Sequence, residues 1–221
     1  MKIINILLPF IGCLIGFIIA YNFKQKDLKL LLAFSGAFLI SLIVSDILPV
    51  LYIKESFSPG PWIMIGILLQ IILEFFSKGT EHGHSHSKAN HAKSFIILAS
   101  LCFHALLEGI PINKFEILSW GLFIHKIPVA MVVYFIFYKK GDSYTYILFY
   151  LGVFSLATPI GAIISNSFPI IENILFQLTA LVVGMLLHIG TTILFESSEG
   201  HRFNIKKILS IILAIIISLI I

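Results

Sequence analysis

His104 and Glu108 carry the first chemical signal in this sequence, because they lie one helical turn apart in the apolar segment H-A-L-L-E-G. Side chains at i and i+4 share one face of a helix. An imidazole and a carboxylate on one face suit a borderline divalent cation such as zinc. The next apolar run adds His125, followed three residues later by Pro128, and a proline there can kink the helix beside the histidine. These residues predict a metal site built from two consecutive helices.

Lys126 is the most unusual ionisable residue, because it also falls within an apolar run. At membrane depth a lysine must find an anion or lose its proton, and Glu108 on the adjoining run is the nearest anion. We therefore predict that Lys126 is the counter-charge of Glu108. The alternative for all of these groups is that they only bond helices to one another.

Five further polar residues lie within apolar runs or at their ends, where an ionisable side chain costs at least about 2.5 kcal/mol. They are predicted to mark a pathway for an ion: Asp46, Gln70, Glu74, His188 and Glu196. For Glu74 and Glu196, which lie near helix ends, solvation at the membrane interface is an equally good explanation. For His188 and the polar residues of its run, packing between helices is the alternative.

A histidine-rich tract follows the third apolar run and alternates with Gly and Ser. Its imidazoles are those of His82, His84, His86 and His91. A tract of this composition has no fixed geometry and binds zinc or similar ions weakly and adaptively, so we predict that it captures metal. A solvated linker without a metal role is the alternative.

The elements that position these residues follow from the composition. Of the 221 residues, 58% are hydrophobic and only 12% are charged, against about 25% charged in a soluble domain. This composition excludes a water-soluble enzyme. Short polar segments separate eight apolar runs, at about Ile4 to Tyr21, Leu30 to Ile53, Pro61 to Phe76, Ser94 to Ile112, Ile117 to Tyr138, Tyr144 to Ser165, Ile170 to Phe195 and Ile205 to Ile221. Because the runs lack the alternation of a membrane barrel, they predict an all-α membrane protein, an eight-transmembrane-helix bundle that forms one domain over residues 1–221.

The basic residues predict the orientation of this bundle. With the amino terminus outside, the inside holds eleven of them, namely Lys24, Lys26, Lys29, Lys78, Lys88, Lys93, Lys139, Lys140, Arg202, Lys206 and Lys207. The outside then holds three, namely Lys2, Lys54 and Lys114. Under the positive-inside rule this asymmetry places both termini outside and the loop from Ser77 to Lys93 in the cytosol. The basic excess is thus a topology signal, and no nucleic-acid partner is expected. The short loops favour a bacterial inner membrane, and a homodimer stays open as the oligomeric state.

Four stretches of the chain resemble the ZIP (Zrt/Irt-like) family of divalent metal transporters. The second run, L-L-A-F-S-G-A continuing to S-D-I-L-P at Pro49, is similar to the family's glycine-containing second helix. The third run, L-Q-I-I-L-E ending at Glu74, is similar to the helix before the family's cytosolic metal loop. The segment H-A-L-L-E-G from His104 matches the family's H-x-x-x-E-G signature, and H-K-I-P-V-A from His125 resembles H-x-x-P-E-G.

The resemblance implies a transporter that moves zinc or a related divalent ion toward the cytosol, while one helix group rocks against another and exposes the site alternately. The two signatures would supply the ligands of one ion, His104, Glu108 and His125. Family members often hold a second ion, bridged by the glutamates of both signatures. Here Ala105, Lys126 and Val129 stand at the positions of the second ion's usual ligands. A mononuclear site, with the lysine as a built-in counter-charge, is therefore expected.

Two other classes of function stay open. A membrane protein that senses or buffers metal without transporting it is compatible with the absence of a carboxylate at Val129. An intramembrane metalloprotease would also use zinc, His and Glu in helices, but H-x-x-x-E lacks the second histidine of H-E-x-x-H. The sequence contains no P-loop, so ATP-driven pumping is not indicated, and neither an enzyme nor an organic cofactor is expected.

Overall fold

The computed structural model describes residues 3–22, 28–54, 57–77, 91–141, 143–196 and 205–221. Nearly all of these residues are helical and none of them lies in a strand, which confirms the all-α prediction. Seven helices in this part of the chain are long and apolar enough to cross a membrane. The predicted metal-capturing residues His82, His84 and His86 lie outside the described residues, as do the side chains of His91 and Glu196.

Eight main helices follow the predicted runs closely. Their bounds are α1 (Ile3–Asn22), α2 (Leu28–Ile53), α3 (Pro59–Ser77), α4 (His91–Gly109), α5 (Glu116–Lys140), α6 (Tyr144–Ser167), α7 (Leu175–Glu196) and α8 (Ile205–Ser218). A 3-10 turn, Ile110–Asn113, continues α4, and a short helix, Pro169–Asn173, precedes α7. Helix α5 ends at Gly141, whose φ of 82° lets its N–H bond the carbonyls of Phe137 and Tyr138.

Most helix ends lie within a few residues of the predicted ones, but two predicted segments need correction. The loop predicted from Ser77 to Lys93 is too long at both ends, because α3 includes Ser77 and α4 already begins at His91. Alanine and lysine are good helix formers, so the backbone stays helical beyond the apolar run. The seventh run is not one helix, since the chain turns at Ile174 between the short helix and α7. Asn173 is a poor helix former at this break.

Helix α8 is the one predicted span that is absent from the seven long apolar helices found in the described part of the chain. It has 14 residues and is therefore about 21 Å long, whereas the hydrocarbon core of a bilayer is about 30 Å thick. Its direction is nevertheless defined by two contacts with α2. The Ser210 hydroxyl lies 3.2 Å from the Leu30 carbonyl oxygen, and the Ser218 hydroxyl lies 2.5 Å from the Ser41 hydroxyl. The earlier residue of α8 contacts the earlier residue of α2, and the later residue of α8 contacts the later one. Helix α8 therefore runs parallel to α2.

The helices pack as two sets of four. In the first set, α1 lies along α5 and α6, and α4 lies along α6; in the second, α3 and α2 lie along α7, and α8 lies along α2. Glycines allow close backbone contact inside each set. A Cβ atom at Gly16 of α1 would come within 2.2 Å of the Ile127 carbonyl oxygen of α5, and one at Gly66 of α3 within 1.9 Å of the Leu181 carbonyl oxygen of α7. The two sets meet where α2 faces α5 and where α3 faces α4.

Candidate metal site

Three side chains predicted as metal ligands converge near the middle of the bundle. His104, Glu108 and His125 each offer one ligand atom, and these atoms all lie within 4.8 Å of one another. All three residues are buried, with relative exposures of 2%, 0% and 2%. Helix α4 packs mainly on α6 and α3, and α5 mainly on α1 and α2. The ligands of α4 and α5 therefore meet through their side chains rather than through close packing of the two helices.

One carboxylate oxygen of Glu108 faces both imidazoles. Its Oε1 atom lies 2.8 Å from Nε2 of His104 and 3.9 Å from Nε2 of His125. Zinc binds imidazole nitrogen and carboxylate oxygen at about 2.0–2.2 Å, so neighbouring ligand atoms of a tetrahedral ion are about 3.3 Å apart. The observed spacings bracket that value. The three atoms can thus bind a zinc-sized cation after small side-chain adjustments.

The second carboxylate oxygen of Glu108 is hydrogen-bonded to Lys126. The ammonium of Lys126 donates a hydrogen bond to Oε2 of Glu108, and the side-chain exposures of the two residues are 1% and 0%. The same ammonium lies 4.8 Å from the ring centroid of Phe154 on α6, within cation–π range. The predicted counter-charge contact between Lys126 and Glu108 is therefore present, in a region where neither charge could be solvated by water.

Two polar side chains of the second helix set contact the imidazoles at Nδ1, the ring nitrogen that does not face Glu108. The Nδ1 atom of His104 lies 2.9 Å from Oε1 of Gln70 on α3, and the Nδ1 atom of His125 lies 3.2 Å from the Ser35 hydroxyl on α2. Gln70, predicted as a pathway residue, is fully buried against the site. Ser35 was not predicted, because a serine beside Gly36 in an apolar helix has the same sequence signature as a small packing residue.

The remaining predicted pathway residues lie away from the three ligands. Glu74 and His188 form a pair of their own between α3 and α7, with Oε2 of Glu74 2.8 Å from Nε2 of His188. Their side chains are 23% and 20% exposed, so this pair is more accessible than the buried site. Asp46 is exposed and lies in a π-helical segment of α2, Ile43–Ile47. Along the axis of α2 it is about 16 Å from Ser35, on the side where α3 begins.

No protein-family model matches the chain, and a search of curated proteins finds no matching sequence. The chemistry of the buried residues and their geometry are therefore the basis on which a function can be argued.

Proposed function

We propose that this protein is a ZIP-like membrane transporter, which carries zinc or a related divalent ion through a site formed by His104, Glu108 and His125. One observation carries the proposal: two imidazoles and a carboxylate, all buried in apolar helices, have ligand atoms within 4.8 Å of one another. Ionisable groups at membrane depth are costly, and in membrane proteins they mark ion pathways. A zinc ion compensates that cost by binding all three.

Lys126 limits the site to one ion. Its ammonium already bonds Oε2 of Glu108, the oxygen that a second bridged cation would use. Val129 follows His125 by one helical turn and is buried, so the position from which a second carboxylate could bridge is apolar. In the empty protein the lysine neutralises Glu108, and an incoming cation competes with it for the carboxylate.

The chain then crosses the membrane eight times, with α8 as the last crossing. Successive spans alternate in direction, so the second and the eighth must be parallel, and the contacts of Ser210 and Ser218 with α2 support that direction. The 14 residues of α8 are short for a span and can be accommodated by local thinning of the bilayer. The positive-inside rule then places both termini outside and the histidine tract in the cytosol.

The ion pathway runs from the end of the bundle near Asp46 to the end near Glu74 and His188. The exposed carboxylate of Asp46 lies on the outer side in this orientation, where it attracts cations. Glu74 lies in the last turn of α3, just before the histidine tract. Its pair with His188 of α7 offers one oxygen and one nitrogen ligand to an ion that leaves the buried site. His82, His84, His86 and His91 then bind the ion in the cytosol.

Uptake of zinc into proteoliposomes separates this proposal from the two other classes. A transporter accumulates zinc inside vesicles down a zinc gradient without ATP. A sensor or buffer binds zinc but leaves the vesicle interior metal-free, and an intramembrane protease cleaves a membrane substrate without moving zinc. Empty vesicles define the leak, and vesicles with the His104→Ala, Glu108→Ala double variant define transport that does not use the site. Zinc uptake equal to the leak in the wild-type vesicles would refute transport.

A further inference from the structure

Hydrogen bonds from the second helix set reach both histidines of the site. Gln70 on α3 contacts Nδ1 of His104, and Ser35 on α2 contacts Nδ1 of His125. Both histidines belong to the first helix set. A third buried bond crosses the same boundary one turn along α4, where the Ser100 hydroxyl donates to the Leu73 carbonyl oxygen at 2.7 Å. This third bond involves no ligand of the site.

The chemistry of the Gln70 contact defines which nitrogen of His104 faces the metal position. An amide oxygen can only accept, so the Nδ1–H of His104 donates to Oε1 of Gln70. Nε2 then faces Glu108 and shares a proton with its Oε1 atom at 2.8 Å in the metal-free protein, and it is the nitrogen left to a metal ion that takes the place of this proton. Anchoring Nδ1 also fixes the rotation of the ring, and such partners behind metal-binding histidines commonly change metal affinity by about 10–100-fold.

We propose that Gln70 and Ser35 are positioning residues, which orient the imidazoles of His104 and His125 from the opposite helix set. The inference rests on the proposed metal site and adds a condition to it. The ligands have their binding geometry only while the two helix sets keep this register, because each imidazole is held from across the boundary. Metal affinity is therefore linked to the relative position of the two sets.

The test is a titration of the purified full-length protein with Co²⁺, whose visible absorption reports the number and geometry of its ligands. Loop histidines also bind cobalt, so the spectrum of the His104→Ala, Glu108→Ala variant is subtracted from every titration. Gln70→Met keeps the side-chain volume but removes the acceptor, and Ser35→Ala removes the hydroxyl. Each should weaken cobalt binding at the site about tenfold and change the absorption bands, whereas Ser35→Thr, which keeps the hydroxyl, should restore them.

Ser100→Ala is the matched control. It deletes a buried hydrogen bond across the same boundary, next to Gln70, without touching an imidazole. If the bonds serve only to hold the helix sets together, Ser100→Ala weakens cobalt binding as much as Gln70→Met does, and the inference is overturned. Unchanged affinity and spectra in both Gln70→Met and Ser35→Ala would overturn it as well. Absence of a difference spectrum in the wild type would refute the metal site itself, and the positioning roles with it.

Discussion

Lys126 and Glu108 form a buried ion pair across the gap between α5 and α4, and neither side chain has more than 1% of its surface exposed. The ammonium and the two imidazoles surround one carboxylate. The ammonium of Lys126 and the imidazole of His125 come from α5, whereas Glu108 comes from α4. The ion pair therefore connects two helices that pack only loosely on each other.

The first prediction concerns the stability of this pair. Lys126→Met leaves the Glu108 carboxylate without its ammonium, and Glu108→Gln leaves the ammonium without an anion. Breaking a buried pair on one side costs about 3–5 kcal/mol, whereas removing both charges is much less costly. In thermal unfolding of the detergent-solubilised protein, each single variant should melt well below the wild type, and the double variant should recover most of the loss. Equal melting temperatures for the wild type and Lys126→Met would contradict a structural ion pair.

The second prediction concerns stoichiometry. Replacing Lys126 by Asp and Val129 by Glu removes the tethered cation and adds two carboxylates beside His125, which allows a second ion to bind. We expect the number of zinc ions bound in the membrane-embedded part, measured by calorimetry, to rise from one to two per chain. The His104→Ala, Glu108→Ala variant again gives the number of ions bound by the loop. Two transmembrane ions already bound by the unaltered chain would show that the lysine does not take the place of a cation.

The third prediction concerns the glycine that lets α1 contact α5. In Gly16→Ala the new Cβ would lie 2.2 Å from the Ile127 carbonyl oxygen, so the helices must separate, at a cost of about 1–3 kcal/mol. Gly152 on α6 is the matched control, because a Cβ there meets no atom within 4 Å. Gly152→Ala should therefore leave the melting temperature unchanged or slightly raised. A smaller drop in melting temperature for Gly16→Ala than for Gly152→Ala would argue against the observed packing of α1.

The fourth prediction concerns the histidine tract. Because α4 begins at His91, removing residues 81–90 shortens the tract without cutting into the helix. Under the proposed function the tract captures ions outside the spans, so zinc uptake by vesicles should fall at limiting zinc and remain unchanged at saturating zinc. A chain that folds normally but loses all uptake after this deletion would place the tract in the obligatory path.

The sequence predicts the three candidate ligands and the lysine because each is a polar group in an apolar run, where sequence alone marks it as unusual. The i, i+4 spacing of His104 and Glu108 requires only a helix, which the apolar run already predicts. The contacts of Ser35 and Gln70 were not predictable in the same way. Which imidazole each one reaches depends on the register between the helix sets, and that register is set by packing of many side chains over distant parts of the chain.

The ends of helices were predicted less well for a related reason. Apolar patterning locates the part of a helix inside lipid, but helix α4 continues beyond it to His91, and the seventh run breaks at Ile174 although both sides are apolar. Both outcomes depend on local backbone preferences, which apolar patterning does not contain.

The double variant Glu108→Gln, Lys126→Met allows the most direct test of the central claim, that the metal crosses the membrane through the site of His104, Glu108 and His125. It removes the shared carboxylate ligand without leaving an unpaired buried charge, so the fold is retained. We measure its initial rate of zinc uptake in proteoliposomes against Lys126→Met alone, which keeps all three ligands, and against the wild type. Wild-type vesicles should take up zinc, and vesicles with the double variant should take up none above the leak. Uptake by the double variant at the wild-type rate would show that zinc does not cross through this site.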